Sequence, residues 1–350
     1  MRFFLSLNKL VVLLTGLSYL SVWIPPDVFW PAGFGALLIP GFLFINVLFL
    51  FYWYSRKKWN MLFSALTLLL GYKFILASVA VTFHLDQDGE FRVMSYNARV
   101  FNVYEHLQSK KKEQRLDIVN WAVTNKAEIK CFQEYYNDPK SKEYNTTQQL
   151  SRNGQYQSFV HPTFVNKKGA EFGLAIFSIY PIVNKGEITF ANRSNNTAIF
   201  ADLKKGDDTV RVINVHLESM HIDQNLVVNT NDFKKSSKDL FRRMRRGFMV
   251  RSQQIKTLID FIEESPHRII LCGDFNDTPY SYSYFQLGRH LLNAFEHTGN
   301  GLGFSFNGKL FFLRIDNQFF SENIDAGYYR TYREVAFSDH FPIEVVYSMD

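Results

Sequence analysis

Five short polar segments interrupt otherwise apolar sequence, and their residue types could together hydrolyse a phosphate ester. The segments are MSYNAR with Asn97, CFQEY with Glu134, INVHLES with His216, CGDFND with Asp274 and Asn276, and FSDHFPI with Asp339 and His340. Carboxylates hold a hard divalent cation such as Mg²⁺ or Mn²⁺, and imidazoles handle the protons of hydrolysis. These residue types therefore predict an acidic, His-flanked pocket with phosphoesterase chemistry.

Each polar segment lies next to a short apolar run that predicts a buried strand. The runs are FRVMSY, EIKCF, RVINV, RIILC and FPIEVV. Four segments follow their strand and the last precedes it, so we expect the strand ends to bring these side chains to one rim of a sheet. Helix-like stretches at about residues 111–125, 142–152 and 248–264 alternate with the strands, and hairpin-like strands fill the middle. This alternation favours an α/β sandwich over a doubly wound parallel sheet.

The first 84 residues contain three long apolar runs, at about residues 10–24, 29–54 and 61–83. A transmembrane helix needs about 20 predominantly apolar residues, so each run is long enough, or nearly so, to cross a bilayer. The first run could also be a signal peptide, but it lacks a small-residue cleavage site and two further runs follow it. We therefore predict three transmembrane helices in residues 1–84 and a catalytic domain in residues 85–350.

Basic residues flank these runs unevenly. Arg2 and Lys9 precede the first run and three basic residues at 56–58 separate the second from the third, whereas the connection between the first two carries only Asp27. Cytoplasmic loops are enriched in Lys and Arg. This distribution predicts a cytoplasmic N-terminus and an extracytoplasmic domain, which in a bacterium would lie on the outer side of the inner (cell) membrane.

Positive charge is concentrated in an insertion at residues 220–251, in a chain whose net charge is +6 and whose isoelectric point is near 9.1. The basic residues of the insertion are Lys234, Lys235, Lys238, Arg242, Arg243, Arg245, Arg246 and Arg251. Such a segment could bind anionic lipid headgroups or a nucleic-acid backbone. A solvated start to the following helix is the alternative.

The order of the segments resembles the endonuclease/exonuclease/phosphatase superfamily, which includes DNase I-like nucleases, inositol polyphosphate phosphatases and bacterial sphingomyelinases. The resemblance covers about residues 91–350 and rests on Asn97, QE, FGLAIFSIYPI, NVHL, GDFND, RID and SDH in that order. It implies a four-layer fold, in which two mixed β-sheets pack face to face with helices outside and the site lies at one end. With its three-run anchor, the chain resembles the membrane-bound bacterial branch of the superfamily.

The resemblance also implies a role for each residue of the motifs. The expected metal-binding set is Asn97, Glu134 and Asp339. The expected catalytic set is His216, Asp274, Asn276, Asp316, His340 and Glu171. In this scheme Asp316 hydrogen-bonds His340, and Glu171 partners His216.

Phosphodiester hydrolysis needs an oriented water, neutralised phosphate oxygens and a proton for the leaving oxygen. We expect Asp274 to act on the water and Asn276 to donate to a phosphate oxygen. His216 and His340 would handle protons or bind phosphate, and Asp316 would raise the pKa of His340. The sequence leaves open whether Asp274 or His340 takes the proton of the water.

Together these features predict a membrane-anchored, extracytoplasmic phosphoesterase that depends on Mg²⁺ or Mn²⁺. The anchor favours a phospholipid or phosphodiester headgroup as substrate. A nuclease acting on DNA or RNA is the alternative, supported by the basic insertion. A catalytically silent membrane scaffold is a third hypothesis, against which the complete set of carboxylates, amides and imidazoles argues. The sequence indicates no protein partner.

Overall fold

The computed structural model describes residues 1–82, 89–104, 112–191, 196–220 and 233–349, without the side chains of residues 112–116 and 233–236. The predicted domain boundary near residue 84 therefore lies outside the described residues. So do the first part of the basic insertion and the side chains of Lys234 and Lys235.

The N-terminal region consists of apolar helices. They are α1 (Arg2–Ser21), α2 (Pro31–Leu37), α3 (Ile39–Ser55), α4 (Met61–Leu70) and α5 (Tyr72–Ser78). Within the described residues, α1 is the one unbroken helix that is long and apolar enough to cross a membrane. The α2–α3 and α4–α5 pairs bend by 43° and 65°, and there are up to three candidate spans if each bent pair counts as one. The three predicted spans therefore stay a prediction.

The N-terminal helices bury several polar groups and expose many apolar side chains. The Nδ2 of Asn8 donates to Ser64 Oγ at 2.8 Å, and the Nδ2 of Asn46 donates to Thr15 Oγ1 at 2.9 Å, so buried hydrogen bonds tie α1 to α4 and to α3. The exposed apolar side chains include Leu10, Leu13, Leu17, Phe44, Leu48, Phe51, Leu62, Leu66 and Leu69. Helix bundles in lipid are typically held by internal polar contacts of this kind, whereas a large exposed apolar surface is unfavourable in water.

Two six-stranded sheets form the core of the remaining chain. The strands of the first sheet are β2 (Phe91–Asn97), β3 (Ile129–Asn137), β4 (Gln157–Val165), β5 (Glu171–Ser178), β13 (Asp325–Thr331) and β14 (Ile343–Ser348). Those of the second are β6 (Ile182–Ile188), β7 (Ala198–Lys205), β8 (Asp208–His216), β9 (Arg268–Asp274), β10 (Leu292–Asn293) and β12 (Asp316–Phe320). The spatial orders are β13-β14-β2-β3-β5-β4 and β10-β12-β9-β8-β7-β6. Both sheets are mixed, because β2 runs parallel to β3 and β8 parallel to β9.

The sheets pack face to face and helices cover their outer faces. Val93 and Ile129 of the first sheet share a buried apolar cluster with Val212 and Ile270 of the second. Strands buried on both faces read as continuous apolar runs, which is why the five runs in the sequence were recognisable. The layered α/β sandwich that the sequence predicts is therefore confirmed.

In the described residues, the helices that accompany the sheets are α6 (Lys112–Thr124), α7 (Thr146–Leu150), α8 (Phe233–Glu263), α9 (Tyr282–Leu287) and α10 (Ala294–Thr298). The helix expected at 111–125 is confirmed as α6. The one expected at 142–152 is shorter and continues as a 3₁₀ turn at Arg152–Gly154. The one expected at 248–264 begins about four turns earlier, because the basic part of the insertion is its N-terminal half.

The N-terminal helices share one apolar core with the rest of the chain. Val22, Ile39 and Phe74 of the N-terminal region belong to the same buried cluster as Ile255 and Phe285 of the helices that accompany the sheets. A short antiparallel pair, β1 (Ala80–Val81) with β11 (Asn300–Gly301), adds a backbone connection. The two predicted domains therefore pack against each other through a shared core, while their boundary and their separate roles stay a prediction.

Candidate active site

The registers of the strands bring the predicted residues to one end of the sandwich. In the second sheet, His216 at the end of β8 is paired with Asp274 at the end of β9, and Asp274 is paired with Asp316 at the start of β12. In the first sheet, Asn97 at the end of β2 is paired with Gln133, the neighbour of Glu134. Because the two sheets face each other, both rows of polar side chains border the same space.

That space is a cavity of about 530 Å³. Its polar lining includes Glu134, His216, Asp274, Asn276, Asp339 and His340. The backbone just before Asp274 is tightly packed, since a Cβ on Gly273 would lie 2.0 Å from the carbonyl oxygen of Val215. A glycine here, at φ 145°, lets the two parallel strands approach and keeps His216 beside Asp274.

The carboxylate of Asp274 is the centre of the polar network and is almost fully buried. Its Oδ2 lies 3.6 Å from His216 Nε2 and 3.7 Å from His340 Nε2, and accepts a hydrogen bond of 2.9 Å from Asn97 Nδ2. Its Oδ1 accepts from the backbone N–H of Asn276 at 2.8 Å. A carboxylate between two imidazoles is well placed to exchange a proton with either, or with a water in the cavity.

His340 and Asp316 form a buried pair. The Nδ1 of His340 lies 2.9 Å and 3.1 Å from the two carboxylate oxygens of Asp316. Burial by itself would lower the pKa of His340, but the charges of Asp316 and Asp274 outweigh it and raise that pKa to about 10. His340 is therefore held as a cation with Nδ1 engaged, which leaves Nε2 facing Asp274.

Left-handed backbone conformations cluster around the cavity. Glu134 has φ 46°, Asn276 has φ 49°, and four consecutive residues from Arg99 to Asn102 have φ between 47° and 52°. A left-handed conformation costs about 1–3 kcal/mol at any residue other than glycine, and such strained residues are concentrated at functional sites. For Glu134 the cause is a bulge, because the register between β3 and β5 shifts between Phe132 and Tyr135.

The side chain of Glu134 suits a hard divalent cation. It is 39% exposed, and its Oε1 accepts a long hydrogen bond of 3.4 Å from Asn97 Nδ2 and lies 4.0 Å from His216 Nε2. Lone pairs therefore remain available in a cavity that Asp274 and Asp339 also line. This set of oxygen donors fits Mg²⁺ or Mn²⁺, which prefer carboxylates and retain several waters.

A second acidic group is less suited to an ion. Ligand atoms of Asp274, Asp316 and His340 lie within 4.8 Å of one another. However, both oxygens of Asp316 face His340 Nδ1, and the Asp316 backbone N–H is bound by Ser305 Oγ. We interpret this group as a proton-handling pair beside Asp274, so that a cation would be held on the side of Glu134.

Two predicted residues have different surroundings from those expected. The Oδ1 of Asn97 accepts the backbone N–H of Arg99 at 3.1 Å, so its Nδ2 faces the carboxylates. In this arrangement Asn97 Nδ2 bridges the carboxylates of Asp274 and Glu134, and its role as a metal ligand stays a prediction. Glu171 accepts a hydrogen bond of 2.8 Å from Asn137 and is absent from the described lining of the cavity, so the structure does not bring it to His216.

Sequence reasoning missed the role of Arg251. It was grouped with the exposed basic residues, but its side chain is 0% exposed, and it pairs with Asp277 at 3.1 Å and donates to the Glu218 carbonyl at 2.8 Å. Arg251 thereby joins the loop after His216 to the loop after Asp274. The signal was present in the sequence, because Arg251 lies on the apolar face of α8 at the helical spacing shared by Phe248 and Ile255.

Sequence reasoning also missed an apolar wall of the cavity. Its members include Tyr104, Phe164, Phe172, Phe306, Leu310 and Leu313. They come from separate loops and strands, and none belongs to a polar segment. A substrate bound here would place a phosphate at the acidic end and an apolar or aromatic group against this wall.

The topology and the position of the site define the DNase I-like α/β class. A family model described as "Endonuclease/Exonuclease/phosphatase family" matches residues 94–340, and the chain belongs to this family. Residues 1–78 match a second model, described as "Domain of unknown function (DUF8431)". No curated protein sequence matches the chain significantly.

Solved structures share the fold at low identity. The catalytic domain of human Nocturnin is 17% identical with a TM-score of 0.55, covering 76% of this chain and 97% of that one. A mannosyl-6-phosphatase of Bacteroides thetaiotaomicron is 20% identical with a TM-score of 0.51, covering 74% and 100%. A humanized D. rerio TDP2 is 13% identical with a TM-score of 0.52, covering 74% and 99%.

Proposed function

We propose that this chain is a membrane-anchored hydrolase of phosphate esters that depends on Mg²⁺ or Mn²⁺. The observation that carries the proposal is the carboxylate of Asp274, which lies between two imidazole nitrogens at 3.6 Å and 3.7 Å in a cavity that Glu134 also lines. Family membership supports the reaction class, since the family's own description includes nucleases and phosphatases. A binding scaffold has no need of this arrangement.

The residues of the chain divide the chemistry between them. Glu134, with Asp339, would hold the ion, which when bound neutralises phosphate charge and lowers the pKa of a water. Asp274 receives the proton of the attacking water, because His340 already carries a proton held by Asp316. His340 then stabilises the phosphate or protonates the leaving oxygen through Nε2. Asn276 and His216 orient the phosphate beside Asp274.

The membrane location has two supports in the chain. The anchor exposes large apolar side chains and satisfies its polar groups internally, which suits lipid better than water. The basic residues at 56–58 and the acidic Asp27 lie in alternate connections, which favours three spans with the N-terminus in the cytoplasm. The catalytic domain would then be extracytoplasmic, at the inner membrane of a bacterium.

For the substrate we propose a phospholipid or other phosphodiester headgroup. The apolar wall beside the acidic end of the cavity suits a molecule with an apolar portion, and the anchor keeps the site near the bilayer. A nuclease remains the alternative that the exposed arginines of α8 support. One protein of the same fold is named a mannosyl-6-phosphatase, which acts on a phosphomonoester, so the test also includes a phosphomonoester.

The test uses the full chain in detergent micelles with a chromogenic phosphodiester. We expect hydrolysis with Mg²⁺ or Mn²⁺, none with chelator, and a loss of at least about a hundredfold on Asp274→Asn, as for removal of an acid–base group. Asp208→Asn, an exposed residue at the β7–β8 turn, is the matched control. Activity that persists in Asp274→Asn, or a fully folded chain inactive on diesters, monoesters, phospholipids and DNA, would contradict the proposal.

A further inference from the structure

The N-terminal half of α8 presents a basic face to the surroundings. Lys238, Arg242, Arg245 and Arg246 are exposed and recur at helical spacing. Two acidic groups offset part of the charge, since Arg242 lies 3.2 Å from Asp239 and Arg246 lies 3.6 Å from Glu218. Both arginines are nevertheless about 70% exposed. In the described part of the chain, no carboxylate lies within ion-pair distance of Arg245.

An aromatic cluster fixes this half of the helix to the anchor. The guanidinium of Arg245 lies 5.2 Å from the ring centre of Trp30. Phe241 stacks on Phe34 at 4.9 Å and meets Trp30 edge-on at 5.4 Å. The rings and the guanidinium therefore form one continuous surface, made by α8 together with the start of α2.

Further contacts hold α8 at the connection between the first two candidate spans. Asp27 in that connection accepts hydrogen bonds from Ser252 Oγ at 2.6 Å and from Lys256 Nζ at 2.7 Å. Phe248 lies so close to α2 that a Cβ on Gly33 would be 2.5 Å from its ring. The height of the arginines relative to a bilayer is thus set by the anchor.

We infer that the basic face of α8 binds anionic phospholipid headgroups of the outer leaflet. The inference rests on the proposed membrane anchoring. Trp30 lies between two candidate spans, and Trp side chains at the ends of spans are typically found at the level of the headgroups. Arg245 stacks on this Trp30 ring. Val28 and Phe29, 77% and 52% exposed in the same connection, are apolar and suit insertion beside the headgroups. These neighbours favour a lipid surface over a nucleic acid.

The surface adjoins the active site. Gly247 on α8 packs against Met220, because a Cβ on Gly247 would lie 3.0 Å from Met220 Cγ. Met220 in turn lines the cavity. Headgroups held by Arg242, Arg245 and Arg246 would lie along the helix whose buried Arg251 fixes both catalytic loops. The site would therefore work in a zone enriched in anionic lipid.

Native mass spectrometry of the full chain in detergent, titrated with phosphatidylglycerol or phosphatidylcholine, tests this. We expect preferential binding of phosphatidylglycerol. R242Q/R245Q/R246Q should weaken it by about fivefold per arginine, on the order of a hundredfold in total, as expected for cationic residues near an anionic surface. R242K/R245K/R246K keeps the charge and should keep most of the binding, which separates loss of charge from misfolding.

The matched control is R92Q/K126Q/R330Q, which removes three exposed cationic residues grouped around another surface cleft of the catalytic domain. Equal losses in the two triple variants, or no loss in either, would overturn the inference. So would binding of a DNA oligonucleotide, but not of phosphatidylglycerol, through the α8 arginines. Because binding is measured without turnover, a chain inactive on every phosphate ester would refute the proposed function and leave this result standing.

Discussion

Replacing Asp316 by Asn should move the alkaline limit of activity. The wild-type chain holds His340 protonated up to a pKa of about 10, mainly because the Asp316 carboxylate lies 2.9 Å from its Nδ1. The substitution keeps the size of the side chain and removes the charge, so the pKa of His340 should fall toward its ordinary 6.5. A fall of about 3.5 in the pKa of His340 corresponds to at most about 5 kcal/mol. The fall should be smaller than this, because the charge of Asp274 still raises the pKa of His340.

Initial rates of phosphodiester hydrolysis with Mg²⁺, quenched and read at one fixed pH, measure the effect. We expect the rate to fall by about 10²–10⁴, as for the loss of a positioned acid–base group, and the high-pH decline to begin nearer neutrality. Asp325→Asn, exposed at the start of β13, is the control. A high-pH decline at the same position in Asp316→Asn and the wild type would refute the assignment of His340 as the protonated group.

The same pair gives a stability test. The pKa of His340 is higher in the folded chain than its ordinary 6.5, so its contribution to the free energy of unfolding is complete below about pH 6.5. That contribution is lost as the pH rises toward about 10. Thermal unfolding should therefore show a decline over this range in the wild type and a smaller one in Asp316→Asn. A parallel decline in both would argue against the pair as its cause.

Three further predictions concern the metal, the catalytic loops and the anchor. Glu134→Gln should raise the Mg²⁺ concentration for half-maximal activity by at least about tenfold, and an unchanged metal titration would remove Glu134 from the site. Arg251→Met leaves Asp277 buried without its ion partner and should cost about 3–5 kcal/mol in unfolding measurements, while Arg251→Met with Asp277→Asn should recover part of it. Residues 89–350 alone should aggregate in size-exclusion chromatography without detergent, since their core is shared with the anchor; a monodisperse, active fragment would contradict this.

The sequence predicted the strands and the polar segments for a local reason. Strands buried on both faces must be apolar along their length, and the chain must become polar where they end. Asn97, His216 and Asp274 lie at those ends, so their meeting at one rim followed once the strands were recognised. The partner of His340, Asp316, lies 24 residues before it and was assigned through the order of motifs that the chain shares with the family.

Side-chain direction and burial were not readable in the same way. Residue type made Asn97 a candidate ligand, and only the backbone N–H of Arg99 decides which atom of its amide faces Asp274. Counting charges grouped Arg251 with Arg245, although one is 0% exposed and the other lies on the surface. Glu171 followed a motif spacing, but its strand position pairs it with Asn137.

By itself, then, the sequence determined which chemical groups the chain possesses, which stretches must be buried, and where strands end and polar loops begin. These properties depend on residues close together in the chain. Only the tertiary structure decided that α8 runs unbroken from the basic segment into the core, that the N-terminal helices share a core with the rest of the chain, and that Arg251 joins the loops after His216 and Asp274. These outcomes depend on contacts between distant segments, whose energies no local pattern records.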